Sequence, residues 1–154
     1  MVESPKKKPS HKAHILLVDD EKNAIEVYAD FLRMCDYAVT TATNAAQAIQ
    51  LAEGKDFDLV ITDLWMPDMN GIELLKTLKQ MRPTLSVIVI TGYSSVQTAV
   101  QAMRAGAADY FPKPYILGTE ARERIERVLM ESKGEAENQS EGEEEELLPR
   151  SFDG

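Results

Sequence analysis

Residues 58–75 read DLVITDLWMPDMNGIELL. The stretch changes period halfway. DLVIT (58–62) is a short apolar run with β-branched residues, as expected of a buried parallel strand. From Gly71 onward Ile72, Leu75 and Leu78 recur at helical spacing through residue 81, and Pro83 follows as a stop. A strand therefore feeds a helix, and Asp63 stands at the junction.

The same alternation extends in both directions. Upstream, HILLV (14–18) is a first strand, and residues 21–35 place Ala24, Val27, Tyr28, Phe31, Leu32 and Cys35 at helical spacing. Residues 37–42 are β-prone, and Asn44 is suited to cap a helix that passes through Ala48, Ile49 and Leu51 and closes at Gly54. Downstream, LSVIVIT (85–91) is the most hydrophobic strand and is expected to lie centrally. Ser94 or Ser95 can cap a helix through Val96, Ala99, Val100 and Met103 that ends at Gly106. ADYF (108–111) is a fifth strand, and residues 117–131 form a last helix with Leu117, Ala121, Ile125, Val128 and Leu129 inward. Five strand–helix units in this order imply an α/β fold, a parallel sheet with helices on both faces.

The flanks differ from this body. Residues 1–12 (MVESPKKKPSHK) are basic, proline-punctuated and polar, and read as a disordered lead-in. Residues 13–131 are the folded domain. Residues 132–154 are expected to be a disordered acidic tail, ending in LLPRSFDG. The formal charge of −9 splits into about +3 before residue 13, −7 from residue 131 onward and −5 in the body. An acidic body argues against a nucleic-acid surface, and Lys6–Lys8 read as a solvated tail. No apolar run reaches the 18 or so residues of a membrane helix. Nor does an apolar stretch follow the N-terminal lysines, so the opening does not read as a secretory signal. A single cysteine, Cys35, permits no intramolecular disulfide and fits a cytoplasmic setting. It is expected to be a small buried core residue.

In a sheet of this class function collects outside the carboxyl ends of the strands. The first strand is followed by Asp19, Asp20 and Glu21, the third by Asp63, the fourth by Thr91, and the fifth by Lys113 between Pro112 and Pro114. Singly each has an ordinary explanation. Asp19 or Asp20 can cap the helix that follows, Thr91 can be a plain strand-end residue, and Lys113 a solvated lysine. In register at four strand ends they form a site. Clustered carboxylates raise one another's pKa, which a hard cation such as Mg²⁺ relieves. Asp63 then stays ionised and able to attack phosphorus. The cation and Lys113 offset charge on the phosphoryl oxygens, and Thr91 can donate to one of them.

LLVDDE (16–21), VITDLWMPDMNGIELL (60–75), VIVITGYSS (87–95) and AGAADYFPKP (105–114) together resemble the receiver domain of bacterial two-component response regulators. The resemblance covers residues 13 to about 131. It implies a flavodoxin-like doubly wound sheet of five parallel strands in order 2-1-3-4-5, with five helices. It also implies that Asp63 is the phosphoacceptor, that Asp20 ligates Mg²⁺ directly and Asp19 through water, and that the Trp65 backbone carbonyl is a further ligand. Thr91 matches the switch hydroxyl, Lys113 the phosphate-pairing lysine and Tyr110 the aromatic that turns inward on activation. Pro67 and Gly71 match the loop that shapes the pocket. The Pro112–Lys113 bond resembles one that is often cis. Trp65 and Tyr93, two past Asp63 and two past Thr91, are bulky, and as tuning residues they are expected to slow hydrolysis of the acyl phosphate.

The partners implied are a sensor histidine kinase or phosphotransfer protein on the input side. On the output side stands a protein, a domain or a second copy, met by the face of helix 94–104, strand 108–111 and helix 117–131. The chain reads as a signalling domain rather than an enzyme, either a stand-alone receiver or part of a regulator with an ATPase-type output. A haloacid-dehalogenase-like phosphatase also attacks with an Asp after a strand, but that class wants a second Asp where Trp65 stands. A nucleotide-binding module is opposed by the lack of a Gly-rich loop after any strand.

Overall fold

The computed structural model describes residues 12–93, 95–113 and 117–145. The basic residues 1–11, Ser94, Pro114 and the LLPRSFDG ending lie outside them. The elements alternate as β1 (His14–Val18), α1 (Lys22–Met34), β2 (Ala38–Ala42), α2 (Ala45–Gly54), β3 (Leu59–Asp63), α3 (Gly71–Met81), β4 (Ser86–Thr91), α4 (Val96–Arg104), β5 (Asp109–Pro112) and α5 (Thr119–Glu145). All four strand pairings are parallel, in order β2-β1-β3-β4-β5. β4 is an interior strand as expected, although β3 holds the centre. The chain winds from β1 out to β2 and then returns to the other side of β1. The crevice between β1 and β3 is therefore the switch point of the sheet, where ligands bind in folds of this kind.

The period of two along each strand sorts the core into two layers. Ile15, Leu17, Ile61, Ile88, Ile90 and Phe111 face α1 and α5. Leu16, Val18, Val60, Val87 and Val89 face the other way, against α2, α3 and the single buried residue of α4, Ala102. Cys35 is buried beneath α1, as expected.

Local chemistry sets the helix starts. Asn44 accepts from the Gln47 N–H at 2.8 Å and Asn70 from the Glu73 N–H at 2.9 Å, so α2 and α3 begin on side-chain caps. Ser95, rather than Ser94, caps α4. α1 starts one residue later than expected and its N-cap, Glu21, makes no side-chain cap bond. Asp19 instead accepts the Glu21 N–H at 2.9 Å.

Three expectations are corrected. Leu117 precedes α5 and is exposed rather than inward, because α5 begins only at Thr119. α5 runs on to Glu145, through the segment expected to be disordered. Finally, no peptide bond among the described residues is cis, Pro112–Lys113 included. The cis form is accessible mainly to bonds into a proline nitrogen, and this bond runs into a lysine nitrogen.

Candidate functional site

β1 and β3 lie side by side and end together, with Val18 paired to Thr62. The residues that continue these strands must then converge. One oxygen from each of Asp19, Asp20 and Asp63 lies within 4.8 Å of the others, the only such acidic or metal-ligating cluster among the described residues. Asp63 is the last residue of β3 rather than the first beyond it. It is almost fully buried, Asp19 is fully buried and Asp20 is exposed.

Lys113 comes to them from the end of β5. Its Nζ lies 3.0 Å from Asp19 Oδ2, 3.3 Å from Asp63 Oδ2 and 3.4 Å from Glu21 Oε1. Glu21, noted in the sequence only as a third acid, thus borders the site. Burial first, then the Asp19 carboxylate, pushes Asp63 from 3.8 up to about 6, and Lys113 offsets only part of this. Burial also raises Asp19, against the lowering effect of the Glu21 N–H and of Lys113. For Lys113 burial works against the charge, but Asp19 and Asp63 outweigh it and push its pKa up. One ammonium therefore serves two buried carboxylates, and the cluster carries excess negative charge.

The loop from β3 to α3 shapes the pocket, and Gly71 is why it closes. A Cβ there would stand 2.4 Å from the Asp63 carbonyl oxygen and 2.9 Å from Leu64 Cα, so only glycine allows α3 to start against the end of β3. The Gly71 N–H donates to the Leu64 carbonyl at 2.6 Å and the Leu64 N–H to Ile90 at 2.8 Å. Asp68 ties the same loop to α2 by accepting the Ala45 and Ala46 N–H groups, each at 3.1 Å. Desolvation raises its pKa, but these donors together with the Asp68 and Met69 N–H groups outweigh it and lower the pKa. Sequence spacing gave no sign of this tether, which spans 22–23 residues.

Thr91 ends β4, fully buried, on the strand beside Asp63. Its Oγ1 accepts the Tyr93 N–H at 3.0 Å. Tyr110 on β5 pairs in register with Val89, and both belong to the layer facing α2, α3 and α4. Thr91 lies two residues past Val89, so it shares that face. The Tyr110 hydroxyl sits on the first turn of α4, 2.6 Å from Thr98 Oγ1 and 3.4 Å from the Ser95 N–H. Trp65 and Tyr93 stand at the rim, 50% and 81% exposed. The Trp65 N–H faces Asp63 Oδ1 at 3.4 Å. Asp19, Asp20, Asp63, Thr91 and Lys113 thus meet at the carboxyl edge with Trp65 and Tyr93 beside them, whereas the Tyr110 side chain reaches to α4.

The donor set suits a hard cation, since three carboxylates converge with one ammonium among them. No helix among the described residues is long and apolar enough to cross a membrane.

Comparison with known proteins agrees with this geometry. Residues 15–126 match the family model described as the response regulator receiver domain. Over 100 residues, 65% of the chain, the sequence is 44% identical to the transcriptional regulatory protein ZraR of Klebsiella oxytoca. The matched part is 23% of that relative's length. A beryllofluoride-activated NtrC4 receiver domain dimer is similar with a TM-score of 0.72 and 32% identity, over 77% of this chain and 98% of that one. TrrA of Thermotoga maritima, solved with Mg²⁺ and beryllofluoride, is similar with a TM-score of 0.69 and 28% identity, over 75% and 98%. The fold, the order of the strands and the family match agree, and the chain belongs to the response regulator receiver domains of two-component systems.

Proposed function

We propose that Asp63 is the phosphoacceptor. It takes a phosphoryl group from a phosphohistidine on a sensor kinase or phosphotransfer protein in the cytoplasm. A carboxylate oxygen of Asp63 forms a bond to phosphorus as the phosphorus–nitrogen bond breaks, giving an acyl phosphate and a neutral histidine. The observation that carries this is the buried Asp63 carboxylate, raised to about 6 beside Asp19 and only partly offset by Lys113. Asp19, Asp20 and Asp63 would hold Mg²⁺, with the Trp65 carbonyl as a further ligand. The bound cation would keep Asp63 ionised and add positive charge against the phosphoryl oxygens. The Lys113 ammonium pairs with one of those oxygens and Thr91 donates its hydroxyl to another. As Thr91 moves, Tyr110 turns toward the space it leaves. The α4-β5-α5 face then repacks and meets an output domain, a partner protein or a second copy. Exposed Val96, Val100 and Met103 on α4 suit such a contact. The unit that does this spans residues 13–131. The relative's title names a transcriptional regulator and the NtrC4 title a dimer, and both outputs are open to this chain.

Trp65 and Tyr93 flank the approach of water to Asp63 and act as tuning residues that lengthen the life of the acyl phosphate. The test is incubation with acetyl phosphate and Mg²⁺, followed by intact-mass spectrometry. Wild type gains one phosphate, while Asp63→Asn or added chelator prevents it. Equal labelling of Asp63→Asn overturns the assignment, and a Trp65→Asn half-life equal to wild type overturns the tuning role.

A further inference from the structure

Thr98 is where the first turn of α4 and the side chain of Tyr110 meet. A capping box normally uses Glu or Gln at the third helical position to reach back to the N-cap. Here Thr98 fills that position with a shorter side chain. Its Oγ1 accepts the Ser95 N–H at 3.2 Å and lies 3.1 Å from the Ser95 carbonyl and 3.0 Å from Ser95 Oγ, either of which can take its proton. A hydroxyl has one proton. With that proton on Ser95, at its carbonyl or its Oγ, the 2.6 Å contact to Tyr110 requires the tyrosine to donate. The tyrosine oxygen then faces the Ser95 N–H at 3.4 Å. Tyr110 is thereby built into the cap of α4.

α4 has little else to hold it, since Ala102 is its single buried residue. Ahead of the helix the Tyr93 N–H donates to Thr91 Oγ1, and on its first turn Thr98 meets Tyr110. Thr91 and Tyr110 are the two residues expected to move when Asp63 is phosphorylated.

We infer that Thr98 is a positioning residue that holds Tyr110 against α4 in the unphosphorylated state, so that activation has to break the Thr98–Tyr110 bond and in doing so frees the first turn of α4. This inference rests on the proposed function and adds a residue to it. An interaction present only in the resting state opposes activation, and removing it shifts the population toward the active state.

The experiment is a calorimetric titration of the full chain with beryllofluoride in excess Mg²⁺, as a stand-in for the phosphoryl group. Thr98→Val, which keeps the shape and loses the hydroxyl, should bind beryllofluoride roughly three- to tenfold more tightly than wild type, the size expected for one hydrogen bond. Thr98→Ser should restore wild-type affinity. Ser95→Ala, which weakens the cap but leaves the Thr98 hydroxyl, should change affinity less than about twofold. In a Tyr110→Phe background, Thr98→Val should have no further effect, since the bond is already gone. Unchanged affinity in Thr98→Val, an equal gain from Ser95→Ala, or the same gain from Thr98→Val in both backgrounds would each overturn the role of Thr98. No binding by wild type, or equal binding by Asp63→Asn, would overturn the proposed function itself and the inference with it.

Discussion

α3 and α4 pack on the same face of the sheet and are anchored by different means. α3 buries Gly71, Leu74, Leu75 and Leu78 along 11 residues. α4 buries only Ala102 along nine and leaves Val96, Val100 and Met103 exposed. Both begin on a hydrogen-bonded cap, so the caps do not distinguish them. Burying a leucine side chain is worth roughly 1.5–3 kcal/mol, and a hydroxyl hydrogen bond nets about 1 kcal/mol. α3 is therefore fixed by oil and α4 by hydroxyls. The helix that supports Asp63 through Gly71 is the immovable one. The helix beside Thr91 and Tyr110 is held by contacts of about 1 kcal/mol each, which is what the proposed switch requires.

The largest test of this contrast is Leu75→Ala. The fully buried leucine should cost about 2–5 kcal/mol in urea denaturation. A loss below about 1 kcal/mol would mean that α3 is no better anchored than α4. The next test uses pH, because Asp63 stands at the end of β3, where its backbone meets the start of α3, and burial raises its pKa to about 6. Asp63 sits at about 6 folded against 3.8 unfolded. Between those values the folded state holds the extra proton, so its favourable contribution is lost as pH rises through about 6. In chelator, Asp63→Asn should stabilise the chain by on the order of 1 kcal/mol at pH 7.5, with the gain shrinking toward pH 4. A gain independent of pH would remove Asp63 as its source. The smallest effect is expected at Val100, which is 42% exposed. Val100→Ser should shift stability by less than about 0.5 kcal/mol. A larger loss would show that α4 is packed more firmly than its single buried residue implies.

Much of this was legible in the sequence, for physical reasons. A parallel sheet gathers whatever follows its strands, so Asp19, Asp20, Asp63 and Lys113 could be placed together before any distance was known. Asn44 could be recognised by type and position as a helix start. What could not be read depends on where side chains point after the elements dock. Thr98 resembles an ordinary helical threonine until pairing of β5 with β4 brings Tyr110 across 12 residues to its hydroxyl. Asp68 resembles a turn residue until α2 presents its free N–H groups. The end of α5 was not legible because low apolar content and charge density argue for disorder. The exposed apolar residues of α4 were visible as helical spacing, but spacing alone does not say whether a stripe is covered.

Trp65 is the one tryptophan in the chain. It stands half in solvent, with its backbone N–H turned toward the carboxylate of Asp63. Indole emission depends on the polarity and charge around the ring. Excited at wavelengths that tyrosine does not absorb, this chain therefore glows from a single place, and that place is the rim of the acidic pocket. The molecule carries its own optical gauge of what enters the site, with no label attached and no second fluorophore to subtract.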